Sequence, residues 1–172
     1  MQADITNALK TLNNGQLLLY PTDTVWGIGC NATNVEAVKK VYQLKQRNNS
    51  KALICLVKDF KMLKTYVPYL PPNLVEILNH THKPTSIIYS HVKDFAQNLL
   101  AKNGSVAIRI CKTEFCQALL SEFGKPIVST SANISGEPTP KDFNEISPEI
   151  LKGVDYVVNL QSINTANAPS QL

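Results

Sequence analysis

Two segments far apart in the chain most constrain how it can fold. The first is Tyr20-Pro21-Thr22-Asp23-Thr24-Val25-Trp26-Gly27-Ile28-Gly29, and the second is Ser129-Thr130-Ser131-Ala132-Asn133-Ile134-Ser135-Gly136-Glu137-Pro138. Each directly follows a short apolar run, Leu17 to Leu19 or Pro126 to Val128, that reads as a buried strand. Each then turns to hydroxyls, an amide or carboxylate, and glycine. Such residues add little apolar area to a core. They supply donors, acceptors and close backbone approach at strand ends, where open α/β sheets place their ligands.

A chain of 172 residues fits one domain. With 44% hydrophobic and 17% charged residues it has globular composition, which argues against disorder. The net charge of +4 suits an anionic ligand and an ordinary basic surface equally, and does not by itself argue for nucleic acid. Cys30, Cys55, Cys111 and Cys116 form no CxxC pair and read as free, partly buried thiols. The start Met1-Gln2-Ala3-Asp4 has neither the basic nor the apolar region of a signal peptide, and no apolar run approaches the ~20 residues of a membrane helix. The expectation is a soluble, cytoplasmic protein with no membrane partner.

Apolar spacing predicts helices over 4–13, 34–46, 60–66, 73–79, 95–101 and 114–122, and a weak helix over 143–151 broken by Pro148. Strands are predicted over 16–20, 52–57, 85–89, 106–110, 127–129 and 156–160. This alternation, with some short connections, indicates an α/β domain on a mixed sheet. The polar stretch from Gln161 to Leu172 closes on no element of its own, which leads to the expectation of a single domain spanning 1–172 that lacks a C-terminal portion.

Lys45, Arg47 and Lys51 place three cations at a predicted helix C-terminus and the turn after it. They read either as a solvated face complementing the helix dipole or as a polyphosphate clamp. No Gly-x4-Gly-Lys loop is present, so a nucleotide would be held by side chains and scattered amides. Arg109 interrupts the apolar strand Val106-Ala107-Ile108-Arg109-Ile110. An edge or half-exposed strand explains it, and so does a cleft in which the guanidinium meets a carboxylate or phosphate, because a buried arginine needs an anionic partner. Thr22, Asp23 and Thr24 suit turn chemistry after Pro21, and Ser129, Thr130, Ser131 and Asn133 suit loop or cap roles. Neither explanation accounts for two such clusters at strand ends, each with a following glycine. His80, His82 and His91 have no partner at metal-ligand spacing, and no Gly-x-Ser-x-Gly elbow supplies a covalent nucleophile.

Taken together, Tyr-Pro-Thr-Asp-Thr-Val-Trp-Gly, the Lys45-x-Arg47 pair with Lys51, the Val-Ala-Ile-Arg strand ending at Arg109, and Ser131-Ala132-Asn133-Ile134-Ser135-Gly136 resemble the YrdC-like family of threonylcarbamoyl-AMP synthases. The resemblance runs from about Leu17 to Ser170. It implies a twisted, open mixed sheet with flanking helices and a concave basic cleft. It also implies that ATP, L-threonine and bicarbonate become threonylcarbamoyl-adenylate and pyrophosphate, for modification of adenosine 37 of tRNA. By resemblance, Lys45 and Arg47 serve catalysis, and with Lys51 they face the phosphates of ATP. Ser131, Asn133 and Thr139 hold the nucleotide from the opposite wall. Thr22, Thr24, Arg109 and Ser129 hold threonine. Mg2+ would travel with ATP without protein ligands of its own, and the product would pass to a downstream transferase complex.

The chain departs from the family at Asn48 and Ala52, where proline is usual, and at His82-Lys83-Pro84-Thr85-Ser86, which replaces a Pro-Gly-containing run. The family also continues beyond the Ser170 region into a further strand and an arginine near the adenylate. Two other readings remain open. One is a YrdC-like protein that binds double-stranded RNA or tRNA, or associates with the ribosome, without synthesis. The other is a carbamoyl-transfer domain of the hydrogenase-maturation type.

Overall fold

The computed structural model describes residues 1–48, 53–160 and 170–171. Among them α1 (Gln2–Asn13) leads into β1 (Leu18–Pro21), a tight turn, and β2 (Trp26–Gly29). Asn34 starts α2 (Val35–Leu44) by accepting the Ala37 amide at 3.0 Å, and Asp59 caps α3 (Phe60–Tyr66) from the end of β3 (Ile54–Val57). After α4 (Leu74–His80) come β4 (Ile87–Tyr89), β5 (Val106–Ile110) and α5 (Glu114–Phe123), which closes on Gly124 in the left-handed region. β6 (Ile127–Ser131), α6 (Pro148–Gly153) and β7 (Tyr156–Val157) follow.

The strands form one open mixed sheet in the order β4-β5-β3-β6-β2-β1-β7. Only β3 with β5 and β1 with β7 are parallel neighbours; the remaining pairs are antiparallel. Alternation along the strands separates two cores. Leu19, Ile28, Cys55, Val57, Val106, Ile108 and Val128 pack toward α2, α3, α4 and α6. Leu18, Tyr20, Leu56 and Ile127 pack toward α1 and α5 on the other face. Register sets Arg109 beside Leu56 and Ser129 beside Ile54, so both residues belong to that second face. The α/β architecture with flanking helices therefore agrees with the expectation.

Several boundaries differ from the sequence reading. The second half of the first segment is itself a strand, β2, paired with β1 from Leu18↔Gly29 to Pro21↔Trp26. Its alternating glycines hid it, because they carry no β propensity, yet close packing demands them. A Cβ on Gly29 would lie 2.6 Å from Tyr20 Cε1 and 2.7 Å from the Val128 carbonyl oxygen. The helix expected over 95–101 is only a 3-10 turn, Gln97–Leu99, because the Ala96 amide is drawn to the Ala32 carbonyl and Leu100 is extended. Pro148 begins α6 behind the Ser147 cap and does not break a longer helix, since proline suits the first helical turn. The last strand shortens to two residues, and β6 extends through Ser131. Each of the four cysteines is buried and free.

Candidate functional site

The turn between β1 and β2 organises the first half of the site. The Thr22 hydroxyl lies 2.8 Å from the Val25 carbonyl and accepts the Thr24 amide at 3.2 Å. It also shares a 3.0 Å hydrogen bond with the Thr24 hydroxyl. Thr22 thus performs the turn chemistry that its neighbours suggest. The result aims Thr24 across the sheet: its Oγ1 accepts from Arg109 Nη2 at 3.3 Å.

Arg109 does not lie on an edge strand. β5 runs between β4 and β3, and the Arg109 side chain is only 3% exposed. Burial of a guanidinium requires a counter-charge, and Asp23 provides it, with Oδ1 2.9 Å from Arg109 Nη2. The same oxygen accepts the Cys111 thiol at 3.4 Å, which ties the carboxylate to the end of β5. Arg109 Nε is buried and bonds no other described residue.

The second segment closes around Lys45. This lysine follows α2 directly and is 1% exposed, so the solvated-face reading does not describe it. Its ammonium donates to the carbonyls of Ser131 and Asn133 and, at 3.4 Å, to Asn133 Oδ1. In return the Ser135 amide donates to the Lys45 carbonyl at 2.9 Å. Burial and then the nearby Arg47 charge push the Lys45 ammonium down to about 8. The Asn133 amide nitrogen bonds the carbonyls of Ile134 and Glu137, at 3.1 and 2.7 Å, and fixes the loop.

Between these halves lies a cavity of about 180 Å3 lined by Thr24, Arg47, Ile54, Arg109, Ser129, Thr130, Ser131 and Ser170, among others. Five residues to which the resemblance gives a ligand role (Thr24, Arg47, Arg109, Ser129 and Ser131) therefore share one wall system. Thr22 supports Thr24 from behind, and Lys45 and Asn133 brace the backbone at Ser131. Thr139 is half-buried in the loop after β6 and does not line this cavity, while Lys51 lies outside the described residues. Asp23 and Ser170 belong to the site, although the sequence reading gives Asp23 only turn chemistry and Ser170 no role. Ser170 carried no local signal; its hydroxyl meets that of Ser86 at 2.8 Å, and Gln171 bridges to Thr85.

On the far side of Asp23 a second cavity of about 320 Å3 is lined by Phe60, Leu78, Ile110, Lys112 and the 82–85 loop. Among the described residues no cluster of three His, Cys, Asp or Glu side chains is placed to hold a metal ion. No helix among them is long and apolar enough to cross a membrane.

The fold and cavity define an α/β protein whose small cavity presents two arginines and a row of hydroxyls. The chain belongs to the Sua5–YciO–YrdC family, described as "Telomere recombination", whose model matches residues 10–171. A Photobacterium profundum protein named threonylcarbamoyl-AMP synthase is 31% identical over 150 residues, covering 86% of this chain and 81% of the relative. Among solved structures, P. abyssi Sua5 complexed with L-threonine is similar with a TM-score of 0.82 at 25% identity, over 89% of this chain and 45% of that one. This chain thus spans less than half of that Sua5. E. coli YciO is similar with a TM-score of 0.79 at 26% identity, over 91% of this chain and 77% of that one.

Proposed function

We propose that this chain is a threonylcarbamoyl-AMP synthase, a nucleotidyltransferase that joins L-threonine, bicarbonate and ATP into threonylcarbamoyl-adenylate and pyrophosphate. The observation that carries the reading is the buried Arg109 guanidinium in a hydroxyl-lined cavity that it shares with Arg47. The names of the relatives support the same chemistry.

The reaction needs positioning more than it needs a nucleophilic side chain. The threonine amine adds to the carbon of CO2 or bicarbonate, with water leaving from bicarbonate, to give a carbamate. A carbamate oxygen then attacks the α-phosphorus of ATP, and the bond to the β-phosphate oxygen breaks to release pyrophosphate. Arg109 takes the threonine carboxylate, while Thr24, set by Thr22, and Ser129 bind alongside. Arg47 and Lys51 take the phosphates, and charge-assisted bonds there stabilise the leaving group. Ser131 meets the nucleotide from the cavity wall, Asn133 holds the loop that shapes this wall, and Thr139 meets the part of the nucleotide that extends beyond the cavity. Lys45 acts on the same end by fixing the Ser131–Asn133 backbone, and it reaches a phosphate only by exchanging a carbonyl for it. Mg2+ would accompany ATP as part of that substrate and neutralise phosphate charge, with Asp23 already engaged by Arg109.

The product is the chemistry that a tRNA-modifying transferase would consume. The test is pyrophosphate release from ATP with threonine and bicarbonate, omitting each in turn. Release that requires all three supports the proposal. Background release under every condition, with RNA retained in a salt-dependent way, would support the RNA-binding reading instead.

A further inference from the structure

We propose that Asp23 sets the charge that the Arg109 subsite accepts, admitting a monoanionic carboxylate and turning away a dianionic phosphate. The inference deepens the threonine reading and rests on it for the identity of that carboxylate.

Arg109 offers hydrogen-bond capacity without a matching surplus of charge. Its Nη2 already meets Asp23 Oδ1 at 2.9 Å and Thr24 Oγ1 at 3.3 Å, while Nε bonds no other described residue. The two side chains are 3% and 16% exposed, so water screens the pair poorly. An anion that enters the cavity of about 180 Å3 and reaches Arg109 therefore meets a donor-rich ion pair of nearly zero net charge, while Arg47 remains the cavity's other cation. One negative charge on the ligand is tolerable there, because the guanidinium still donates to it. A second charge at the Arg109 end finds no further cation within the Arg109–Asp23 pair and is repelled by Asp23, so a dianion is better served at the Arg47 end. A bare guanidinium would show the opposite preference, since its fork matches phosphate as well as carboxylate and its charge attracts a dianion more strongly.

The placement of Asp23 is built in. The β1–β2 turn carries it, and the Cys111 thiol holds the same oxygen from the end of β5 at 3.4 Å. Lys112 and Lys83 line the cavity on its other side, but both are exposed and act through solvent. The sorting has a purpose in the proposed reaction. Triphosphate and amino acid must enter one cavity that contains two arginines, and only one order of occupancy is productive.

The experiment follows the Arg109 Nε–H resonance in an isotope-labelled chain, assigned by its loss in Arg109→Lys. Acetate and inorganic phosphate are titrated separately at constant ionic strength at about pH 7.8, on the alkaline side of phosphate's second ionisation, where it is mostly dianionic. In the unaltered protein acetate should shift the resonance at concentrations at least ~10-fold below those phosphate needs. Asp23→Asn should reverse that order, and Asp23→Glu should restore it. Equal response to both anions in the unaltered protein, or response to neither, overturns the proposal without relying on any variant. So does an Asp23→Asn protein that melts normally and keeps the acetate preference. If acetate precedes phosphate but threonine leaves the resonance unmoved, the charge rule stands and the threonine reading falls.

Discussion

Arg109 and Asp23 meet at 2.9 Å inside the protein, and Asp23 Oδ1 holds the Cys111 thiol as well. The arginine is therefore at once a structural member of the sheet and a wall of the candidate site. These roles separate under substitution. A lysine at 109 can keep an ion pair with Asp23 but loses the planar fork. Arg109→Lys should raise the threonine KM by ~10-fold or more and leave ATP affinity nearly unchanged. Parallel ATP and threonine titrations, with a thermal melt, check this. Equal weakening of both substrates together with a lowered melt would assign Arg109 a structural role alone.

Arg47 approaches the same cavity from the connection after α2. Arg47→Ala should weaken ATP binding by ~1.5–3 kcal/mol, the scale of a charge-assisted hydrogen bond, and move the melting temperature little. Calorimetric titration with ATP provides the measurement. Unchanged affinity in a folded variant would remove Arg47 from the phosphate site.

Lys45 makes the site sensitive to alkaline pH. Its ammonium titrates at about 8, below the ordinary value of 10.5. The unfolded chain therefore holds this proton more tightly than the native one between those two values. On this group's account, stability is flat below about pH 8 and rises from there toward 10.5. Function should move the opposite way. Loss of the third N–H loosens the Ser131 and Asn133 carbonyls, so ATP affinity should fall as pH rises through the native value. A pH series of ATP affinity should show this limb, and Lys45→Met should abolish it along with most of the binding. A limb that persists in that variant belongs to another group.

Much of this arrangement was legible because it follows from alternation and from the physical requirements of particular residue types. The helices at α1, α2, α3 and α5 followed from apolar spacing and caps. The place of each hydroxyl segment at a strand end followed from the apolar run before it, and their facing across one site was implied by the family resemblance. What stayed hidden depended on contacts distant in sequence. β2 could not be seen because Gly27 and Gly29 are chosen for close approach to β6 and Tyr20, which no local pattern records. The burial of Lys45 was equally invisible. A lysine after a helix usually points to water, and only the return of the second segment supplies three oxygen acceptors. Asp23 was passed over as turn chemistry because its partner lies on β5.

The two glycines of β2 should separate fold from function. A Cβ at Gly29 would meet Tyr20 Cε1 at 2.6 Å and the Val128 carbonyl at 2.7 Å. Tyr20 cannot retreat freely, since its hydroxyl donates to that same carbonyl at 3.1 Å. Gly29→Ala should therefore cost ~1–3 kcal/mol of stability, as overpacking does, with substrate affinities unchanged in the protein that remains folded. At Gly27 the nearest atom to an added Cβ is Ser129 Oγ at 3.1 Å, a side chain that lines the cavity. That hydroxyl can rotate, so Gly27→Ala should melt close to the unaltered protein. The rotation moves a donor away from the proposed threonine subsite, so the threonine KM should rise several-fold while ATP affinity holds. Denaturant titration and separate KM measurements on both variants give the comparison. A Gly27→Ala protein with an unchanged threonine KM would show that Ser129 does not contact that substrate.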